Sequence, residues 1–339
     1  MPAQPAVSLR TLLQGSLDYA GMFPPAKLPL DAAWAKYHEA WASPHRWLLR
    51  SFVCPVGQLD ELTQQWAAAP APLGRFSAIG TADADAVRLR EDAALLAAFY
   101  ERVATEAGPA IELAYEIRPP ADATADTAAW ATWCQALNEA LCQAEVPLAD
   151  VFLEVPLHAH WLATLALPAS GGSWSWGLKF RTGGTTADAF PTAAALAAAI
   201  AALAAAWAPA KLQQGSRPQN ALSGSWPRYK ATAGLHHPLP RDVAELGCTM
   251  HGFINLMTAA VLAASAAGSL KSSDLQSLAL AILQQRDSSA FRFDARQLCW
   301  RDQCAALTTI ARVRRSHFIG FGSCSFDEPI EDLQSLGWI

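Results

Sequence analysis

The chain has 339 residues, of which 52% are apolar and 16% charged, with a formal net charge of −5. That composition excludes a disordered chain and supplies the side chains for a large buried core. It carries no long block of like charge, so neither a nucleic-acid partner nor an anionic membrane surface is expected.

The N-terminal stretch "MPAQPAVSLRTLLQGS" lacks a basic segment followed by an apolar core, and no signal peptide is read there. "SLDYAGMFPPA" (16–26) is rich in turn formers and aromatics. It reads as part of an N-terminal extension, residues 1–45, that packs over one end of the fold and could bring Asp18 to a site. Strand-like and helix-like segments then alternate. "WLLRSFVCPV" (47–56) is rich in β-formers and precedes the helical "GQLDELTQQWAAA". "GRFSAIGT" (74–81) leads into a long helical stretch, and "AIELAYEI" (110–117) stops at Arg118-Pro119-Pro120 before another. "ADVFLEVPL" (149–157) precedes "HAHWLATLAL". "WGLKFRTGG" (176–184), "RYKATAGLHH" (228–237) and "HFIGFGSCSF" (317–326) complete seven strands. The switch between short β-rich runs and 3.6-residue apolar periodicity repeats throughout.

Repeated βα units imply a parallel sheet, and seven or eight of them without a G-x-G-x-x-G turn predict a single-domain α/β fold, a (β/α)8 TIM barrel. The eighth strand is expected in the N-terminal part or in "SAFRFDARQLCW" (289–300), which looks more like a hairpin inside an insertion spanning 267–316, before the last strand. The polar linker "QQGSRPQNALSGSWP" (213–227) is placed on the surface. The apolar run at 193–210 is mostly alanine and ends in proline, so it reads as a packed helix rather than a membrane span. "RVRRSH" (312–317) reads as a solvated helix end. Seven cysteines without a C-x-x-C pair read as reduced, in a cytoplasmic protein, with Cys299 and Cys304 too weak a signal for a metal.

In such a barrel, polar side chains near the C-terminal ends of the strands face the active-site mouth, and side chains alternate along each strand. Lys179 and Arg181 therefore share the inner face of their strand. Lys230, Thr232, Gly234 and His236 share one face of the next, Glu112 and Glu116 pair on theirs, and Glu154 stands on a fourth. Two buried lysines on neighbouring strands should repel each other, and repulsion and desolvation would lower an amine's pKa and make it nucleophilic. The bland reading is a set of internal salt bridges between these cations and Glu112, Glu116 and Glu154.

"LKFRTGG", "YKATAGLHHP" and "FIGFGSCSF" together resemble the last three barrel strands of the deoxyribose-phosphate aldolase group of class I aldolases. That group carries an Ile-Lys-Thr-Ser-Thr-Gly strand, a Phe-Lys-Pro-Ala-Gly-Gly strand and a Phe-Gly-Ala-Ser-Ser strand in the same order. "RSFVCPVGQL" (50–59) resembles its early Val-Cys-Val strand. The resemblance implies Lys179 as a Schiff-base lysine and Lys230 as the residue that tunes it. It implies Gly322, Ser323 and Ser325 at the place of a phosphate, and Glu116 as the nearest counterpart of the proton-relay aspartate. With Glu154 as a second proton carrier, the expected activity is that of a lyase acting on a small anionic or phosphorylated carbonyl substrate. Asp18, Arg181, Thr232, His236 and His237 are expected to hold that substrate, without a cofactor, in a protein that could be a homo-oligomer. The histidines in the family's glycine-rich loop depart from its pattern.

Two other readings compete. His236, His237 and His251, with a carboxylate, could hold a divalent metal for a hydrolase or lyase; His158 and His160 are weaker candidates for the same role. A non-catalytic barrel that binds a small anion is the third.

Overall fold

The computed structural model describes residues 4–69, 74–107, 111–124, 126–155, 157, 171–207 and 228–339. Eight parallel strands close into a barrel: β1 (Leu17–Tyr19), β2 (Leu49–Pro55), β3 (Arg75–Ile79), β4 (Glu112–Ile117), β5 (Leu148–Glu154), β6 (Ser175–Arg181), β7 (Arg228–Thr232) and the last strand of the chain, Phe318–Ser323. In chain order this last strand is β13, because two small sheets intervene. These are the hairpin β8 (Arg241–Val243) and β9 (Cys248–Met250), and the antiparallel sheet β10 (Phe291–Phe293), β11 (Gln297–Trp300) and β12 (Gln303–Ala306). The helices in order are α1 (Val7–Leu13), α2 (Leu30–Ala42), α3 (Leu59–Ala68), α4 (Ala86–Ala107), α5 (Thr127–Gln143), α6 (Ala193–Trp207), α7 (Phe253–Ala266), α8 (Ser272–Leu283), α9 (Leu307–Ser316) and α10 (Asp327–Ser335).

The predicted barrel is thus present, and its eighth strand is the N-terminal one. Residues 1–45 are not an extension: they hold β1, which pairs with β13 on one side and β2 on the other, and α2 behind it. β1 escapes a periodicity reading because it is three residues long and flanked by turn formers. The 289–300 segment is the expected hairpin within the 267–316 insertion. That insertion has a physical reason. Helix α7 is apolar on every side and buried from Phe253 to Ala264, so it needs cover on its outer face as well as against the barrel. α6, α8 and α9 supply that cover. The helical stretch Ala187–Trp207 is long and apolar enough to cross a membrane, and in the fold its α6 portion packs against α7 and α8.

Two further expectations are corrected. Cys299 and Cys304 stand opposite each other across β11 and β12 and are joined in a disulfide, so these two are not reduced. "RVRRSH" does end a helix with Arg312 and Arg315 exposed, but it is not solvated throughout: Arg314 reaches under the barrel and donates to the carbonyls of Phe318, Gln14 and Gly15, while His317 is buried against Trp207 and Tyr229. The linker 213–227 and residues His158 and His160 lie outside the described residues.

Alternation along the strands fills the barrel. Outward side chains such as Leu178, Phe180, Tyr229 and Phe321 are buried against the helices. Inside, Phe152 occupies the centre, and Gly177 opposite it leaves the room, since a Cβ there would fall 2.3 Å from the Phe152 ring. Above Phe152, toward the C-terminal ends of the strands, the interior turns polar.

Candidate active site

Every barrel strand sends a residue to one cavity of about 310 Å3 at the C-terminal mouth. Asp18, Val53, Ile79, Glu116, Glu154 and Gly322 come from six strands, Lys179 and Arg181 from β6, and Lys230 and Thr232 from β7. Register explains the meeting: Lys179 pairs laterally with Glu154 on one side and Lys230 on the other. Residues side by side in a parallel barrel and facing inward converge on the axis.

The charged groups form one alternating chain. Arg50 holds Asp18 at 3.1 Å, and Asp18 accepts from the ammonium of Lys230. Lys230 also donates to Glu116, and Glu116 contacts Lys179 at 3.1 Å. Lys179 reaches Glu154 at 3.0 Å, and Glu154 holds Arg181 at 3.0 Å. The Ser51 and Ser77 hydroxyls donate to Asp18 and Glu116. Four cations thus enclose three carboxylates, so the chain starts and ends on an arginine and carries one surplus positive charge. Arg118 adds to the cationic rim, where Asp83 partly offsets it. A cavity with this balance favours an anionic ligand.

This geometry corrects the expected electrostatics of Lys179. Burial alone would lower its pKa, but Glu116 and Glu154 outweigh burial, and the ammonium is held above the ordinary lysine value. Burial likewise works to raise both glutamates, yet Lys230 and Lys179 hold Glu116 below the ordinary carboxyl value, and Lys179 and Arg181 do the same for Glu154. Lys179 is therefore ion-paired, yet it is not walled off, since it still lines the cavity. Of the expected salt-bridge carboxylates, Glu112 is absent from this cluster: it lies at the opposite end of β4 with Arg75.

The remaining predicted residues divide. His236 is buried and lines the cavity, with Nδ1 3.2 Å from a Glu328 oxygen and 3.4 Å from the Ser323 hydroxyl. Ser323 joins the lining. Ser325 does not; its hydroxyl instead accepts from the Glu328 amide at the start of α10. His237 turns away to Asp332, 2.6 Å distant, and His251 donates to the Pro191 carbonyl at 2.8 Å beside a separate cleft. Adjacent residues on an extended segment point to opposite sides. His236, His237 and His251 therefore do not converge, and among the described residues no group of three or more His, Cys, Asp and Glu side chains is placed to hold a metal ion.

Sequence reading missed Arg50, Ser51, Ser77, Arg118 and Cys324, which pair with or line the site. Ser51 and Ser77 carried a usable signal, a lone hydroxyl beside a phenylalanine on a β-rich stretch. At the end of β7, Ala233 and Gly234 both have positive φ, 64° and 70°. Gly234 packs against Gly183, where a Cβ on Gly183 would lie 2.8 Å from Gly234 Cα. The two glycine-bearing strand ends therefore close on each other at the cavity wall, and a non-glycine residue held at positive φ beside a pocket is the kind of local cost that functional sites retain.

Fold and site together define a closed α/β barrel with a buried lysine–carboxylate chain at the C-terminal mouth of its strands. Comparisons with protein-family models, with curated proteins and with solved structures gave no match.

Proposed function

We propose that the barrel mouth is the active site of a lyase in which Lys179 forms a Schiff base with a small anionic carbonyl substrate. The observation that carries this reading is the placement of two buried lysines side by side on β6 and β7, sharing Glu116 and opening on one cavity. An amine attacks a carbonyl only as the free base, and in the empty site Glu116 and Glu154 keep Lys179 protonated. The substrate's anionic group resolves this. When it pairs with Arg181, it draws the guanidinium from Glu154, whose carboxylate then becomes basic enough to take the ammonium proton. Lys230, held by Asp18 and Glu116, keeps a fixed positive charge beside the developing Schiff base. The resemblance of these strands to the deoxyribose-phosphate aldolase group supports the same assignment.

Reductive trapping tests it. With cyanoborohydride, pyruvate or glyceraldehyde 3-phosphate should add its reduced mass to the wild-type chain, faster than neutral acetone. Lys179→Met should abolish the adduct, and Arg181→Met should remove the preference for the anionic probes. An adduct that forms equally in Lys179→Met would defeat the proposal. The protonated resting state of Lys179 also suits a barrel that only binds an anion; such a protein would bind these compounds without any trapped adduct.

A further inference from the structure

Schiff-base chemistry on a carbonyl compound needs a second proton acceptor. After the amine has attacked, the carbon next to the new C=N bond must lose a proton to form the enamine that makes a carbon–carbon bond; in the cleavage direction the enamine left by bond breaking takes the proton back. The chain of buried charges does not offer that acceptor. Glu116 is held by both lysines, and Asp18 by Lys230 and Arg50. Glu154 returns the proton of Lys179 to the hydroxyl that leaves as water when the C=N bond forms, and then stands as the counter-ion of the protonated Schiff base. Cys324 also lines the cavity, but burial raises its thiol above the ordinary cysteine value, which leaves it protonated.

His236 stands apart from this chain. It stands four residues beyond the end of β7, lines the same cavity as Lys179, and is buried. Among the described residues its partners all lie at one ring nitrogen: Nδ1 is 3.2 Å from Glu328 at the start of α10, 3.4 Å from Ser323 and 3.8 Å from Cys324 at the end of β13. Glu328 accepts a proton only from an Nδ1–H, so this pair fixes the tautomer that leaves Nε2 as the free base. Resting on the Schiff-base reading, we propose that His236, oriented by Glu328, is the base that removes the proton from the carbon next to the Schiff base.

The step balances within the site. The C–H bond breaks and its proton goes to Nε2 of His236. The electron pair forms the C=C bond of the enamine as the C=N pair returns to nitrogen. The proton then returns from Nε2 to the same carbon, or the enamine carbon attacks a second carbonyl compound, whose C=O pair goes to its oxygen and takes the proton from Nε2. Water hydrolyses the resulting Schiff base and frees Lys179. Glu328 is a positioning residue. The other groups facing His236 are the Ser323 hydroxyl and the Cys324 thiol, with His237 next in the chain and itself committed to Asp332 and Arg241. Burial lowers the pKa of His236 and Glu328 works to raise it; the net direction is down, so the ring is neutral and able to accept a proton at pH 7.

The test separates the two layers. Acetaldehyde, acetone and pyruvate are each offered with cyanoborohydride, and the adduct is read by intact mass. For each probe that is trapped, exchange of its methyl protons in D2O is followed by NMR without reductant. His236→Gln should keep the adduct on Lys179 while exchange slows by roughly 100-fold or more, the range for loss of a general base. Glu328→Gln should move the acid limb of the exchange rate to lower pH, because the imidazole loses the carboxylate that favours its protonated form. Exchange in His236→Gln within ~3-fold of wild type, with its adduct intact, overturns the proposal. So does a Glu328→Gln profile that superimposes on wild type, which also serves if His236→Gln does not fold. If no probe is trapped on wild-type Lys179, the Schiff-base reading itself fails, and the assignment of His236 falls with it.

Discussion

Glu116 is the residue on which the buried charges turn, because it meets Lys179 and Lys230 at once and is itself almost fully enclosed. Removing one partner of a buried ion pair leaves an uncompensated charge and costs about 3–5 kcal/mol. Glu116→Gln should therefore lower the unfolding free energy by roughly 3 kcal/mol in urea at pH 7, since it leaves Lys179 with Glu154 alone, Lys230 with Asp18 alone, and the buried chain with a second surplus positive charge. A loss below ~1 kcal/mol, the size of an exposed pair, would mean that the lysines are not ionised in the folded state. The same chain sets a pH profile. Glu116 and Glu154 are held below the ordinary carboxyl value, so the stability they add is complete above that value and is lost as pH falls below about 5. Lys179 is held above the ordinary lysine value, so its share is complete below about 10.4 and is lost as pH rises beyond it. Urea midpoints should be flat across the window between these limits and fall on both sides. Steady loss from pH 8 upward would contradict a raised Lys179.

Among the elements, the short first strand and the glycine-lined side of the barrel decide whether the mouth closes. Gly320 of β13 lies against the chain leading into β1, where a Cβ would sit 2.4 Å from the Ser16 carbonyl oxygen. Backbone cannot move aside as a flexible side chain can, so Gly320→Ala should destabilise by about 1–3 kcal/mol, as overpacking does. Gly57, with nothing among the described residues within 4 Å of its would-be Cβ, is the control, and Gly57→Ala should leave the midpoint of thermal unfolding nearly unchanged. The contrast shows what sequence can and cannot disclose about elements. β6 and β7 were legible because a lysine two residues from an arginine or a threonine, amid apolar neighbours, has only the barrel interior to face. β1 was not, because three residues carry no period, and its identity rests on pairing with β2 and β13, far away in sequence. The candidate residues on β4, β5, β6 and β7 were found by the same alternation. The partners Arg50 and Ser51 were missed because their role depends on Asp18 across the β1–β2 pairing. Parity placed His236 on the face of Lys230 and Thr232, and His236 lines the cavity with them. Parity could show which residues share a face, but not that the chain leaves the strand before His236 and sends His237 to α10.

For the whole molecule, the (β/α)8 barrel is the frame, and the chain of alternating charges across its mouth is the feature on which the proposed chemistry rests. The sign of the Lys179 shift was hidden from the sequence for a reason of scale: the lysine's neighbours come from β4 and β5, and whether repulsion by Lys230 or attraction by two glutamates wins depends on distances set by the closed barrel. The insertion before β13, with its disulfide-linked hairpin, covers α7 and stands apart from the strand ends that line the cavity. The central claim is that one lysine of six forms the covalent link to substrate. The most direct measurement is peptide mapping by mass spectrometry of the wild-type protein after cyanoborohydride reduction with pyruvate at neutral pH. The account predicts a single modified peptide carrying the adduct on Lys179, with Lys230 unmodified. Modification spread over the other lysines in proportion to their exposure, with Lys179 untouched, would contradict it.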